Sequence, residues 1–167
     1  KHFGVNINLV SYQIRPTGDA DINDIKNKVT EKTKLINITH VHNVFGTDAD
    51  VHLLKNLRES GVFINVDAAQ SVGHTKVSVL DLGADFLSFS GHKMFSSFGV
   101  GVLYINKNVQ DILTKDDLPQ EKGTKDYAGI LSLSMAINYE RNLHNENYNF
   151  NTWRGRYRFM WWRLSSP

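Results

Sequence analysis

Between residues 5 and 105, short β-branched runs alternate with longer amphipathic ones, and that alternation restricts the chain to βαβ units with a largely parallel sheet. VNINLVSY (5–12) is expected as a strand, and DADINDIKNKVTEKT (19–33) as a helix with Ile22, Ile25 and Val29 on one face. KLINITHV (34–41) follows as a strand whose loose alternation suits a sheet covered on both faces. DADVHLLKNLRESG reads as a helix presenting Val51, Leu53, Leu54 and Leu57, stopped by Gly61. VFINVD, DFLSFS and GVGVLYI are three further strands, with a short turn or helix near VSVLDLGA. AGILSLSMAINYERNL (128–143) closes the pattern as a helix with Ile130, Leu133, Ala136 and Ile137 at helical spacing. There is no internal repeat and no low-complexity linker.

A chain of 167 residues, 41% hydrophobic, has the length of one ordinary domain and enough apolar residues for a substantial core. Nineteen basic residues against seventeen acidic ones leave a net charge of +2, too weak a field to attract nucleic acid or anionic lipid. The absence of cysteine excludes disulfides, cysteine-held metals and a thiol nucleophile within this chain, and suits a reducing compartment. No apolar run approaches about 18 residues, so a soluble cytoplasmic protein with no membrane partner is expected.

In open α/β sheets, ligands bind beyond the carboxyl ends of parallel strands. Three strands release polar residues there: Thr39, His40 and Asn43 from the first, Asp67 and Gln70 from the second, and Ser90, His92 and Lys93 from the third. A partly desolvated lysine at such an edge can act as a nucleophilic amine and form an imine with a carbonyl. Pyridoxal phosphate is the natural aldehyde partner, since its electron-sink chemistry needs a lysine and a carboxylate facing the pyridine nitrogen. Taken singly, each residue has a plainer reading: a lysine after a strand is ordinarily a solvated loop cation, and an aspartate there a turn or helix cap. His40, His42 and His74 match no compact zinc spacing, and no metal is expected.

Order and spacing together carry more than single residues. VDAAQSVGHTKVSVLDLGADFLSFSGHKMFSSFGVGVLYI resembles the core of the class V aminotransferase family, the fold-type I pyridoxal-phosphate enzymes that include cysteine desulfurases and selenocysteine lyases. THVHNVFGT is similar to that family's preceding segment, and EKGTKDYAGILSLSMAINY, more weakly, to a later Glu-x-Gly-Thr region and the helix after it. The resemblance spans roughly residues 1–143 and implies a three-layer α/β fold with a mostly parallel sheet, the central part of the large domain. It implies pyridoxal 5'-phosphate as cofactor, Lys93 as the Schiff-base lysine, Asp67 as partner of the pyridine nitrogen and Gln70 as contact to the ring hydroxyl. Ser90 and His92 become phosphate ligands, Asn43 the holder of a substrate carboxylate, and Thr124 a phosphate contact across a homodimer. The substrate class implied is an amino acid, with desulfurase, lyase, epimerase and aminotransferase outcomes all open.

The family's phosphate-binding helix and ring-stacking side chain, and its small C-terminal domain, have no counterpart in residues 1–167, so a partial domain with weak cofactor binding or an interaction role is the alternative expectation. The tail TWRGRYRFMWWRLSSP holds four arginines and five aromatics without an acid. It could be a stacking surface for single-stranded nucleic acid or an interfacial membrane contact. The preferred reading of 144–167 is an atypical, non-native end, because no amphipathic period is present, and no nucleic-acid partner is expected.

Overall fold

The computed structural model describes residues 6–113, 125–143 and 157–158. Its strands are β1 (Leu35–Thr39), β2 (Phe63–Asp67), β3 (Phe86–Ser90), β4 (Gly101–Ile105) and the two-residue β5 (Tyr157–Arg158), hydrogen-bonded in that order. β1, β2 and β3 are parallel, and β4 and β5 each run antiparallel to the strand before them. The reversal at β4 has a simple cause. Only residues 91–100 separate β3 from β4, fewer than a parallel crossover of about a dozen residues requires.

Register places Ile38, Val66, Leu87 and Tyr104 side by side, with Ile36 beside Ile64 and Phe89 beside Val102. All of these side chains are buried and face one hydrophobic cluster. Helix α1 (Ile22–Lys28) adds Ile22 and Ile25 to that cluster, and its first turn is capped by the Asp21 carboxylate, which accepts from the Asn23 and Asp24 amides at 2.9 and 3.1 Å. Helix α4 (Tyr127–Leu143) contributes Leu133 and Ala136 to the buried interior, as its spacing predicts. Full burial of a side chain such as Leu54, Ile64 or Leu87 contributes about 2 kcal/mol. Shorter helices α2 (Val79–Leu82) and α3 (Lys107–Gln110) close the turns before β3 and after β4.

Three elements differ from their sequence pattern. The helix expected over 19–33 is confined to Ile22–Lys28, and Val29 is extended at its end instead of on its apolar face. Residues 6–12 form no strand: Ile7, Leu9 and Val10 are 76%, 88% and 63% exposed. A strand persists only where a neighbour completes its backbone ladder, and among the described residues none lies beside this segment until the single bridge between Ile14 and Ala20. The segment after Asp50 is a 3-10 helix (Val51–Ser60) rather than an α-helix. Its buried positions explain the tighter winding: Val51 and Leu54 are fully enclosed and Leu57 packs beside them, a spacing of three that matches three residues per turn. Leu53, expected on the same face, is turned outward. Gly61 ends the helix in the left-handed region, φ 77°, as its composition predicts.

The amino-terminal edge of the sheet is fixed by Asp85. This buried carboxylate accepts from Arg58 Nε at 2.9 Å, from Arg58 Nη2 at 2.7 Å and from the Ile64 amide at 3.0 Å. Its backbone links outward too, donating to Ile64 O at 2.9 Å and accepting from the Asn106 amide at 2.7 Å. Asp85→Ala strands a partly buried guanidinium and a buried amide, and is expected to cost about 3 kcal/mol. Urea unfolding checks this, with Lys34→Ala at an exposed site expected to change the midpoint little.

Candidate functional site

The parallel alignment of β1, β2 and β3 brings their carboxyl ends to one edge, with Thr39 beside Asp67 and Asp67 beside Ser88. Backbone bonds continue past the strand ends: the His40 amide donates to Asp67 O at 2.9 Å and the Ala68 amide to Ser88 O at 2.8 Å. Asp67 therefore sits between the other two exits. Its carboxylate is exposed and accepts from the Ala69 amide at 3.0 Å, which shapes the following turn and leaves further lone pairs open. Gln70, half-buried, lies in that turn, and fully buried Ser71 closes it by donating to Ala68 O at 3.2 Å.

Ser90 ends β3, and a 3-10 turn (Gly91–Met94) carries His92 and Lys93. Gly91 is buried and its amide donates to Val100 O at 2.8 Å. A Cβ there would stand 2.8 Å from Val100 Cγ1 and 3.0 Å from Val100 O, so only glycine allows the turn to close on the start of β4. Lys93 is half-buried and, among the described residues, no side chain pairs with it. His92 is exposed, its ring stacked on Phe98 at 5.0 Å between centroids and 17° between planes.

The turns after β2 and β3 touch. Gly73 adopts φ 86°, and a Cβ on it would lie 2.5 Å from Met94 Cβ and 3.1 Å from Met94 Cα. The loop carrying Gln70 is thus pressed against the turn carrying Lys93. Asn43 is exposed in a hairpin after β1 that pairs Val41 with Asp48. The tip of that hairpin is held by His42, whose Nδ1 accepts from the Val44 and Phe45 amides at 3.2 and 3.4 Å. Thr124 lies outside the described residues.

Sequence reasoning placed His40 at the strand edge without giving it a role, and passed over two further features. His40 is half-buried at the end of β1, with Nδ1 enclosed and unpaired among the described residues, and burial pulls its pKa below 6.5 against the weaker upward pull of Asp48. Phe95, following Met94, holds a left-handed backbone, φ 67°. Ser132 of α4 accepts from the Ser97 amide at 2.9 Å. Nothing in the sequence signals the conformation of Phe95 or the contact of Ser132.

This arrangement defines an α/β domain of the fold-type I pyridoxal-phosphate enzymes, the central part of their large domain. It is similar to the solved cysteine desulfurase of Thermococcus onnurineus (TM-score 0.68, 30% identity, 79% of this chain and 38% of that one). It is likewise similar to a structure of SspA in complex with cysteine (TM-score 0.67, 28% identity, 75% of this chain and 38% of that one). More narrowly, the chain belongs to the aminotransferase class-V family, whose model matches residues 2–151. Among curated proteins, a probable cysteine desulfurase of Borreliella burgdorferi is 34% identical over 163 residues, covering 83% of this chain and 39% of the relative. One from Pyrococcus abyssi is 38% identical over 144 residues, covering 73% and 36%. The chain thus spans under two-fifths of the length of these relatives. No helix among the described residues is long and apolar enough to cross a membrane.

Two expectations follow from the geometry. Gly73→Ala and Gly61→Ala both place a side chain in the left-handed region, but only position 73 adds a backbone clash, since nothing lies within 4 Å of a Cβ at 61. Gly61→Ala should cost about 1 kcal/mol and Gly73→Ala at least about twice that, read from denaturation midpoints. For His40, the folded pKa lies below the unfolded value of 6.5, so its full contribution is present above that value and is lost as pH falls below it. Lowering pH from about 7.5 to about 5.5 should therefore reduce the stability of the wild type more than that of His40→Gln, as urea titrations at the two pH values will show.

Proposed function

We propose that the chain supplies the cofactor-holding wall of a pyridoxal-phosphate-dependent enzyme of the cysteine desulfurase kind, acting on an amino acid. The observation that carries this is the contact of Gly73 with Met94, which sets the turn after Asp67 directly against the turn bearing Lys93. The donor set fits the group: an amine with no side-chain partner among the described residues, a carboxylate with open lone pairs on the neighbouring strand, and a hydroxyl and an imidazole flanking the amine.

Bound there, pyridoxal phosphate supplies an aldehyde for an amine and an electron sink for a substrate's α-carbon. Lys93 would hold the cofactor through its Nζ and would be the group placed to move a proton at the substrate α-carbon. Asp67 would pair with the ring nitrogen and keep it protonated. Gln70 would orient the ring hydroxyl, Ser90 and His92 would donate to the phosphate, and Asn43, at the tip of its hairpin, would take the substrate carboxylate. Cysteine is the substrate favoured by similarity, given the relatives' names and the neighbour solved with cysteine. Since this chain has no cysteine, a thiol receiving sulfur must come from elsewhere. The same reading makes the working assembly a cytoplasmic homodimer in which Thr124 reaches the partner's cofactor phosphate.

Titrating the purified chain with pyridoxal phosphate tests this. A visible absorbance band is expected for the wild type and is lost in Lys93→Ala, while Asp67→Ala weakens cofactor affinity by about tenfold or more. A wild type without the band would instead identify a domain incompetent to hold cofactor on its own.

A further inference from the structure

Phe95 is the one non-glycine residue with positive φ among those described, and it directly follows the turn that carries Lys93. A bulky side chain in the left-handed region costs about 1 kcal/mol or more and persists only where surrounding contacts over-determine it. Those contacts come from two sides. Within the loop, the Phe95 and Ser96 amides both donate to Gly91 O, the latter at 3.1 Å. From outside, α4 grips Phe95, Ser96 and Ser97. The Phe95 ring meets Tyr139 edge-on, with centroids 6.0 Å apart and planes at 77°. Ser132 Oγ accepts from the Ser97 amide at 2.9 Å and from Ser96 Oγ at 3.3 Å. α4 is itself anchored to the interior by Leu133 and Ala136, so it can act as a fixed support.

We propose that Ser132 and Tyr139 of α4 are positioning residues for Lys93: they hold Phe95 in its left-handed conformation and so fix the turn that presents the lysine amine. This rests on the proposed function for its purpose, though the coupling itself concerns only the chain's own residues. Ser132 and Tyr139 need touch neither cofactor nor substrate. Their effect passes through the backbone of residues 95–97.

The test uses the whole chain without cofactor. Amide hydrogen exchange is followed in the wild type and in Ser132→Ala, Tyr139→Ala, Ser132→Thr and Tyr139→Phe, together with the rate at which acetic anhydride modifies Lys93 relative to Lys55. The two alanine variants are expected to speed exchange over residues 92–98 by about three- to tenfold while leaving β1 unchanged. They should also speed Lys93 acetylation by about threefold, whereas the threonine and phenylalanine variants, which keep the hydroxyl and the ring, behave like the wild type. Tyr139 is 54% exposed, so Tyr139→Ala retains the fold even if Ser132→Ala does not. Unchanged exchange over 92–98, acceleration spread equally over β1, or faster exchange with unaltered Lys93 reactivity would each overturn the proposal. A wild type that fails to bind pyridoxal phosphate would sink the proposed function alone, because neither readout here involves the cofactor.

Discussion

The carboxylate of Asp85 is the constraint on which the sheet depends. It sits at the amino end of β3, opposite the candidate site, and is satisfied by a guanidinium from the 3-10 helix and an amide from β2. A buried charge costs several kcal/mol unless its partners are in place, so this one carboxylate ties the helix, β2 and β3 into a single arrangement, to which the Asp85 backbone carbonyl joins the exit of β4. A parallel pair slipped by one residue would turn its buried side chains to the other face and would also break the Asp85 bonds. The position of Asp67 beside Ser88 is the far-end expression of that lock.

At the candidate site the balance is reversed. Polar groups there are left with open valences: Asp67 is exposed, Lys93 has no side-chain partner among the described residues, and His40 keeps an enclosed nitrogen unpaired. Such groups at the end of a sheet weaken the fold locally, and they are tolerated because the opposite edge and the hydrophobic cluster supply the stability. Glycines make the close approaches possible: Gly91 lets the lysine turn meet β4, and Gly73 lets the neighbouring turn meet Met94. Precision at this edge comes from backbone contact, with few side chains paired to one another.

Much of this was legible in the sequence. The three parallel strands, the stop at Gly61, the buried face of α4 and the strand-end placement of Asp67, Ser90 and Lys93 all follow from periodicity, turn residues and the strand-edge rule. What escaped was decided by tertiary partners. Residues 6–12 have strand composition but no described neighbour to pair with, so propensity alone could not make them a strand. The 3-10 winding of 51–60 follows from which leucines the sheet accepts, and Leu53 differs from Leu54 only in that respect. The left-handed Phe95 is imposed by a helix more than thirty residues away, a relation no local pattern can contain.

The antiparallel joining of β3 to β4 through only ten intervening residues has a kinetic meaning. Loop-closure entropy makes near neighbours pair sooner than distant ones. The β3–β4 hairpin, with Lys93 in its bend, is the most local long pairing in the sheet, whereas Asp67 joins β3 only after the chain from 68 to 85 has been ordered. Loop-closure entropy thus favours closing the lysine's bend over docking the carboxylate's strand against it.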